Sequence, residues 1–162
     1  METGPKPTTL QLKSKCRQRY QELQVDALNT LIGWYWTLGS GAALGMKVTS
    51  AELGQRLQTL KKVYWPRGGE FENYLKQSGQ TLQDMLLRAK VELLEIKTQQ
   101  KITEMARGLP GSYAQQQQTV IAELAKRAPS TTQWVARTSC RAGFVTSSCK
   151  QYKGPLAPGI PN

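Results

Sequence analysis

Histidine is absent from this chain, and cysteine is scarce. Serine and cysteine nucleophiles usually need an imidazole base, so the absence of histidine excludes catalytic triads of that kind. The three cysteines have no CxxC spacing and make a poor ligand set for zinc. The Gly-Ser-Gly sequence at 39–41 lacks the frame of a nucleotide phosphate loop. We therefore predict no catalytic residues, no metal site, no cofactor and no enzymatic activity.

Long apolar runs are also missing. No segment approaches the roughly 18 apolar residues of a membrane-spanning helix, and the closest, residues 28–44, is interrupted by polar residues and glycines. The first residues, METGPKPTT, have neither the basic start nor the apolar core of a signal peptide. We predict no transmembrane segment in this chain.

Acidic residues are half as frequent as basic ones, 11 against 22, which gives a net charge of +11. A basic balance of this size favours anionic partners. Nucleic acid, anionic lipid, anionic wall polymer and acidic unfolded polypeptides all satisfy it. The charge alone does not choose among them.

What the chain does contain is helical periodicity. Apolar residues recur at helical rather than alternating spacing, so the predicted class is all-α. Capping boxes announce two helices, one at Thr49 and Glu52 and one at Thr81 and Asp84, and Gly45 is a predicted helix stop. The predicted helices occupy residues 9–38 or beyond, 50–63, 70–77, 82–105, 112–128 and 133–137.

The first predicted helix carries one apolar stripe, and towards its end apolar residues appear on every side. We expect it to begin half exposed and to end enclosed. The stripe consists of Leu12, Cys16, Tyr20, Leu23, Ala27, Leu31 and Leu38.

The fourth helix has apolar residues on two opposite faces. One face gathers within about 60° of Leu82 when residues are placed 100° apart, and the other lies at about 120–200° from it. A surface helix needs only one such stripe, so this helix should lie between two partners. At least one should belong to this chain. The faces are Leu82, Met85, Leu86, Ala89, Leu93 and Ile96, and Leu87, Val91, Leu94, Ile102 and Met105.

Four segments carry a family resemblance: KVTSAEL from Lys47, FENYLKQSGQT from Phe71, MLLRAKVELLEIKTQQKI from Met85, and RTSCRAGFVTSSCKQY from Arg137. In pattern and order they resemble the N-terminal chaperone domain of the SurA and PrsA extracytoplasmic foldases. The resemblance covers most of residues 6–153. It implies a SurA-N-like lobe of about five to six helices with a small C-terminal cysteine hairpin.

The resemblance also implies a domain organisation. Relatives usually place a parvulin prolyl isomerase domain between the fourth helix and the C-terminal helix, where this chain has room for about four residues. We expect one chaperone domain at 8–152, preceded by a disordered lead-in at 1–7 and followed by a disordered tail at 153–162. Within the domain we expect N-terminal helices at 8–107, a returning helix at 112–138 and a cysteine hairpin at 139–152.

Cysteine usage bears on the compartment. The resemblance is the main reason to expect a disulfide between Cys140 and Cys149, which would suit an oxidising compartment. Two free thiols are the alternative. Cys16 is left over, either as a small buried hydrophobe or as a residue that has lost a partner from a longer N-terminus. We expect an extracytoplasmic location if a signal was removed, and a cytoplasmic one stays open.

By resemblance, the chain is expected to be an ATP-independent chaperone for unfolded or nascent exported polypeptides. Such binding requires adaptable, partly exposed apolar and aromatic surface. For Phe71 simple core packing is the stronger expectation, for Trp65 exposure and burial are balanced, and Trp36 is the preferred client contact. The candidate client-binding residues are Trp34, Tyr35, Trp36, Tyr64, Trp65, Phe71, Tyr74 and Met85.

Two other interpretations compete. Lys13, Lys15, Arg17 and Arg19 open the first helix and would suit a basic nucleic-acid binder, but the chain shows no recognition signature, so specific nucleic-acid binding is not expected. A helical assembly protein could instead use the second face of the fourth helix to form a homodimer.

Overall fold

The computed structural model of the chain describes residues 7–140 together with Phe144, Thr146, Ser148 and Cys149. Six α-helices and no β-strand occur in that part, which confirms the predicted all-α class. Most of the predicted lead-in, the tail and much of the cysteine hairpin lie outside the described residues. The helices are α1 (Thr9–Ala43), α2 (Ser50–Tyr64), α3 (Glu70–Ser78), α4 (Leu82–Ala106), α5 (Tyr113–Ala125) and α6 (Thr131–Arg137).

The two predicted capping boxes are present. The Thr49 hydroxyl accepts a hydrogen bond from the Glu52 backbone N–H at 3.2 Å, and the Glu52 carboxylate accepts one from the Thr49 N–H at 2.7 Å. Thr81 and Asp84 repeat the arrangement with the same two distances. Each box satisfies donors that the first turn of a helix would otherwise leave unpaired.

The end of α1 confirms Gly45 as the stop. The Met46 N–H donates to the Gly41 carbonyl at 2.8 Å, and the Gly45 N–H donates to the Ala42 carbonyl at 3.0 Å. This is the Schellman arrangement, which needs a left-handed residue at the position that Gly45 occupies with φ of +69°. The helix therefore runs through the Gly-Ser-Gly sequence at 39–41 and does not end there.

The described residues fall into two compact units. One comprises those up to Gly33 and those from Thr131 onward, and the other comprises residues 34–130. The second unit contains the end of α1 and all of α2, α3, α4 and α5.

Within the second unit, α4 is the central element, and both of its predicted apolar faces are buried in their middle part. Met85 and Ala89 are buried on one face, and Val91 and Leu94 on the other. The partners belong to this chain, since α2 and α5 both pack against α4. The ends of the faces stay exposed, notably Leu82, Ile96 and Met105.

Two further contacts fasten α4 in that unit. Gly41 of α1 is buried, and a side chain there would meet the Leu94 methyl groups at 3.0–3.2 Å, so the two helices approach closely at this point. At the other end, Ala106 forms a buried cluster with Val120 and Leu124 of α5.

In the first unit, α1 presents its apolar stripe to solvent. Six of the predicted stripe residues lie in this part of the helix, and all are exposed. Leu28, Asn29 and Ile32, on the opposite side, are half-buried, and the Ser148 hydroxyl donates to the Asn29 side-chain oxygen at 3.2 Å. The start of α1 is therefore more exposed than expected, since every described residue up to Tyr20 is exposed, and the face that becomes half-buried further along is the one opposite the stripe. The exposed residues are Leu12, Cys16, Tyr20, Leu23, Ala27 and Leu31.

The Cys140–Cys149 disulfide is present in the first unit, with the two Cα atoms 5.7 Å apart. Thr146 and Cys149 are buried, and the Thr146 hydroxyl lies 3.6 Å from the Cys149 sulfur. Cys16 is free and exposed, so the alternative that it is a small buried hydrophobe is wrong.

Candidate functional site

The candidate site begins where α2 ends. Proline disfavours helical geometry in the residue that precedes it, and Trp65 precedes Pro66 with φ of −138° and ψ of 65°. The Trp65 backbone N–H still donates to the Lys61 carbonyl at 2.9 Å, so Trp65 caps the helix. Its side chain is thereby held at the α2 terminus.

A glycine turn then returns the chain to this side chain. Gly69 has φ of +81° and precedes the first residue of α3, a conformation that favours glycine. The Phe71 ring contacts the Trp65 ring edge-on with 5.3 Å between their centroids, and the Tyr74 ring centroid lies 4.6 Å from the Trp65 ring centroid. Tyr64 adds a fourth ring at 5.8 Å from Trp65. We call Tyr64, Trp65, Phe71 and Tyr74 the aromatic cluster.

The aromatic cluster has a buried base and an exposed rim. Phe71 is only 5% exposed, whereas Tyr64 is 66% exposed and its neighbour Val63 64%. Trp65 and Tyr74 are half-buried. Phe71 therefore anchors the cluster to the core, and the other residues offer apolar surface to solvent.

Basic side chains border the rings. The Lys61 ammonium lies 4.2 Å from the Phe71 ring centroid and 3.3 Å from a Glu72 carboxylate oxygen. A hydrogen bond from the Glu72 backbone N–H and a weaker contribution from the Lys61 ammonium hold the pKa of the Glu72 carboxyl below its usual value. Arg67 reaches Glu70 at 3.9 Å but is 87% exposed. The rim can therefore attract carboxylates as well as apolar groups.

A cavity of about 270 Å³ opens beside the cluster. Three cationic residues and one carboxylate contribute to its wall, together with two of the aromatic rings. The lining residues are Lys61, Lys62, Trp65, Pro66, Arg67, Gly68, Gly69, Phe71 and Glu72.

A larger depression of about 520 Å³ follows one face of α4, and no aromatic residue occurs among the described residues that line it. Its described lining is mainly polar, with Ile96 as the apolar member and Arg107 at the end. The aromatic cluster is the better candidate because it brings four rings together beside cationic side chains.

The structure brings four of the eight predicted client-binding residues together, and they are those of the aromatic cluster. Tyr35 is exposed on α1, while Trp34 and Trp36 are half-buried there. Met85 is buried in α4 and offers no surface to a ligand, and the buried Phe71 offers only the part of its ring that lines the cavity. Trp36, the preferred contact, is more enclosed than Tyr64.

Residues that sequence reasoning omitted complete the site. Lys61, Lys62, Val63 and Arg67 are interleaved with the aromatic residues in the run KKVYWPRGGEF. The sequence signal for this site was the mixture of basic and aromatic residues on both sides of a proline–glycine loop. Such a loop brings its two flanking segments together.

No helix in the part of the chain that the structure describes is long and apolar enough to span a membrane. Comparisons with protein families, with curated proteins and with solved structures found no match.

Proposed function

We propose that this protein is an ATP-independent chaperone that binds non-native polypeptides through the aromatic cluster. The observation that carries the proposal is an exposed rim, Tyr64 with Val63, next to the half-buried Trp65 and a cationic cavity. The resemblance to SurA-type and PrsA-type chaperone domains supports the same function.

The geometry suits adaptable binding. Aromatic side chains contribute large apolar area with few rotatable bonds, so little conformational entropy is lost on contact. The buried Phe71 ring holds the exposed residues of the cluster in position. The charged groups of Lys61 and Arg67 keep this surface hydrated when no polypeptide is bound. Such a surface can hold different apolar segments without a fixed register.

We propose that the protein acts without catalysis, because the chain carries no histidine and no nucleotide phosphate loop. We further propose that it works outside the cytoplasm. The Cys140–Cys149 disulfide supports that location, since disulfides persist in oxidising compartments.

The test is suppression of aggregation of a chemically unfolded protein, followed by light scattering. The informative variant is Tyr64→Ser, because Tyr64 is mostly exposed and its loss should leave the fold intact. Tyr113→Ser is the matched control, with Tyr113 61% exposed on α5. We expect the parent and the control to suppress aggregation and Tyr64→Ser to suppress it much less, at unchanged helicity.

No suppression by the parent at several-fold excess would refute the proposal. Equal suppression by Tyr64→Ser would refute the assignment of the surface. Binding to a single-stranded oligonucleotide that weakens steeply with salt would instead favour the nucleic-acid interpretation.

A further inference from the structure

A long exposed apolar stripe lies on α1, far along the sequence from the aromatic cluster. From Leu12 to Leu31 the helix exposes a stripe that includes Leu12 at 48%, Tyr20 at 69% and Leu23 at 50%. That stretch is about 29 Å long at 1.5 Å per residue. An apolar stripe of this length on a helix ordinarily packs against something.

The spacing within the stripe is that of a coiled-coil seam. Cys16, Tyr20, Leu23 and Ala27 follow one another at steps of four, three and four, which is the alternation of the two seam positions in a heptad. We propose that α1 pairs antiparallel with α1 of a second copy of this chain through this seam.

Residue identities support the antiparallel register. Placing Tyr20 opposite Leu23 of the second copy also places Cys16 opposite Ala27, so each small residue faces another small one and each large residue faces a large one. The same register places Leu12 of one copy at the level of Leu31 of the other, at both ends of the seam. Both leucines are exposed in the single chain.

Charges flanking the seam select the same register. In it, Arg19 of each copy faces Asp26 of the other, so the symmetric dimer contains two such pairs. Sliding one helix by a heptad in one direction brings Arg19 against Arg19, and sliding it in the other direction brings Asp26 against Asp26. A parallel dimer brings neither residue against an opposite charge. Opposite charges at these positions determine orientation in coiled coils.

The flanking groups are available. Arg19 contacts Glu22 of its own helix at 3.2 Å, but this contact is exposed and a guanidinium has five donors, so it can also bind a second carboxylate. The inward side of α1 is already occupied, with Leu28 and Ile32 half-buried. The outward stripe can therefore be covered without disturbing the packing of this unit.

Cross-linking through the native thiol tests the register. Cys16 is free and exposed, so Ala27→Cys should yield a disulfide-linked dimer under mild oxidation, with peptide mapping showing the 16–27 link. Val25→Cys is the control, because Val25 is exposed on the other side of the helix. The unsubstituted chain should give no 16–16 link, since these residues would lie many residues apart along an antiparallel pair.

Charge reversal provides a second, independent measurement by sedimentation between about 1 µM and about 1 mM. Arg19→Asp should weaken dimerisation about tenfold or more, Asp26→Arg should do the same, and the double variant should restore it. Circular dichroism would confirm that each variant keeps its helicity.

Several outcomes would overturn the proposal. A chain that stays monomeric over this range contradicts the dimer, and a 16–16 link in the unsubstituted chain indicates parallel pairing. Equal cross-linking of the Ala27→Cys and Val25→Cys variants would show that the disulfides form by random collision between chains and not in a defined dimer. If the double charge reversal does not restore association, Arg19 and Asp26 do not pair across the dimer and the proposed register is wrong.

Discussion

Lys97 of α4 holds the start of α2 through Glu52. The Lys97 ammonium lies 2.6 Å from a Glu52 carboxylate oxygen and 2.6 Å from the Lys47 carbonyl oxygen, so one side chain binds both the first turn of α2 and the segment leading into it. Glu52 is at the same time the carboxylate of the Thr49 capping box. The beginning of α2 and its attachment to α4 therefore depend on the same carboxylate.

This arrangement predicts acid sensitivity. Hydrogen bonds from Lys97 and Thr49 lower the pKa of the Glu52 carboxyl from 4.5 to about 2. A carboxyl whose pKa is lowered by folding contributes stability above its unfolded value, and the contribution is lost as pH falls from about 4.5 to about 2. We expect Glu52→Gln to be less stable than the parent at neutral pH and the difference to shrink through that range.

Urea unfolding at a series of pH values measures this difference. Glu95→Gln, an exposed glutamate on α4, serves as the control and should stay close to the parent at neutral pH. A gap between Glu52→Gln and the parent that stays constant from neutral pH down to about pH 2 would contradict the role of the Glu52 carboxylate.

The capping box at Thr49 can be measured by itself. Thr49→Ala removes the hydroxyl that accepts the Glu52 N–H, and we expect a loss of about 1 kcal/mol in the free energy of unfolding. Thr59→Ala is the same change in the middle of α2, where the hydroxyl only bonds the Gln55 carbonyl, and it should cause no loss because alanine favours helix. Equal losses in the two variants would mean that the cap contributes nothing of its own.

Two helical glycines should respond oppositely to alanine. Nothing lies within 4 Å of a Cβ built at Gly54 in α2, so Gly54→Ala should raise the free energy of unfolding by about 0.5–1 kcal/mol. At Gly41 a Cβ would meet a Leu94 methyl group at 3.0 Å, so Leu94 must shift and the gain should be reduced or reversed. Denaturant unfolding of both variants decides this, and an equal gain at Gly41 would show that α1 and α4 tolerate separation there.

The aromatic cluster predicts a division between stability and binding. Phe71→Ala should lower the free energy of unfolding by about 3 kcal/mol or more, because it removes a buried ring. Tyr64→Ser should change stability little, because the Tyr64 ring is exposed. Thermal unfolding of both variants measures this, and a large loss of stability in Tyr64→Ser would mean that Tyr64 is a structural residue.

Much of the secondary structure could be predicted because its signals are local. Thr81 and Asp84 determine the start of α4, and Gly79, with φ of +68°, ends α3. Ser112 and Gln115 form a third capping box that the sequence analysis did not identify, although its serine–glutamine spacing was available. The predicted end of α5 was a few residues too late, because the chain leaves helical geometry before Pro129.

Candidate binding residues were harder to predict. An apolar or aromatic residue in a helix has the same sequence signal whether its side chain is buried or exposed, so Met85 and Tyr64 were both included although one is buried and the other is not. The cations of the site were omitted because the contact between Lys61 and Phe71 depends on how α3 returns past α2.

By itself, the sequence determined where most of the helices begin and which faces of them are apolar, because caps and periodicity act over a few residues. Only the tertiary structure decided which apolar faces are covered. Both faces of α4 are buried around Ala89 and Leu94, while the equally regular stripe of α1 at Tyr20 and Leu23 stays exposed. The physical reason is that burial depends on which elements pack together, and periodicity contains no information about the neighbour.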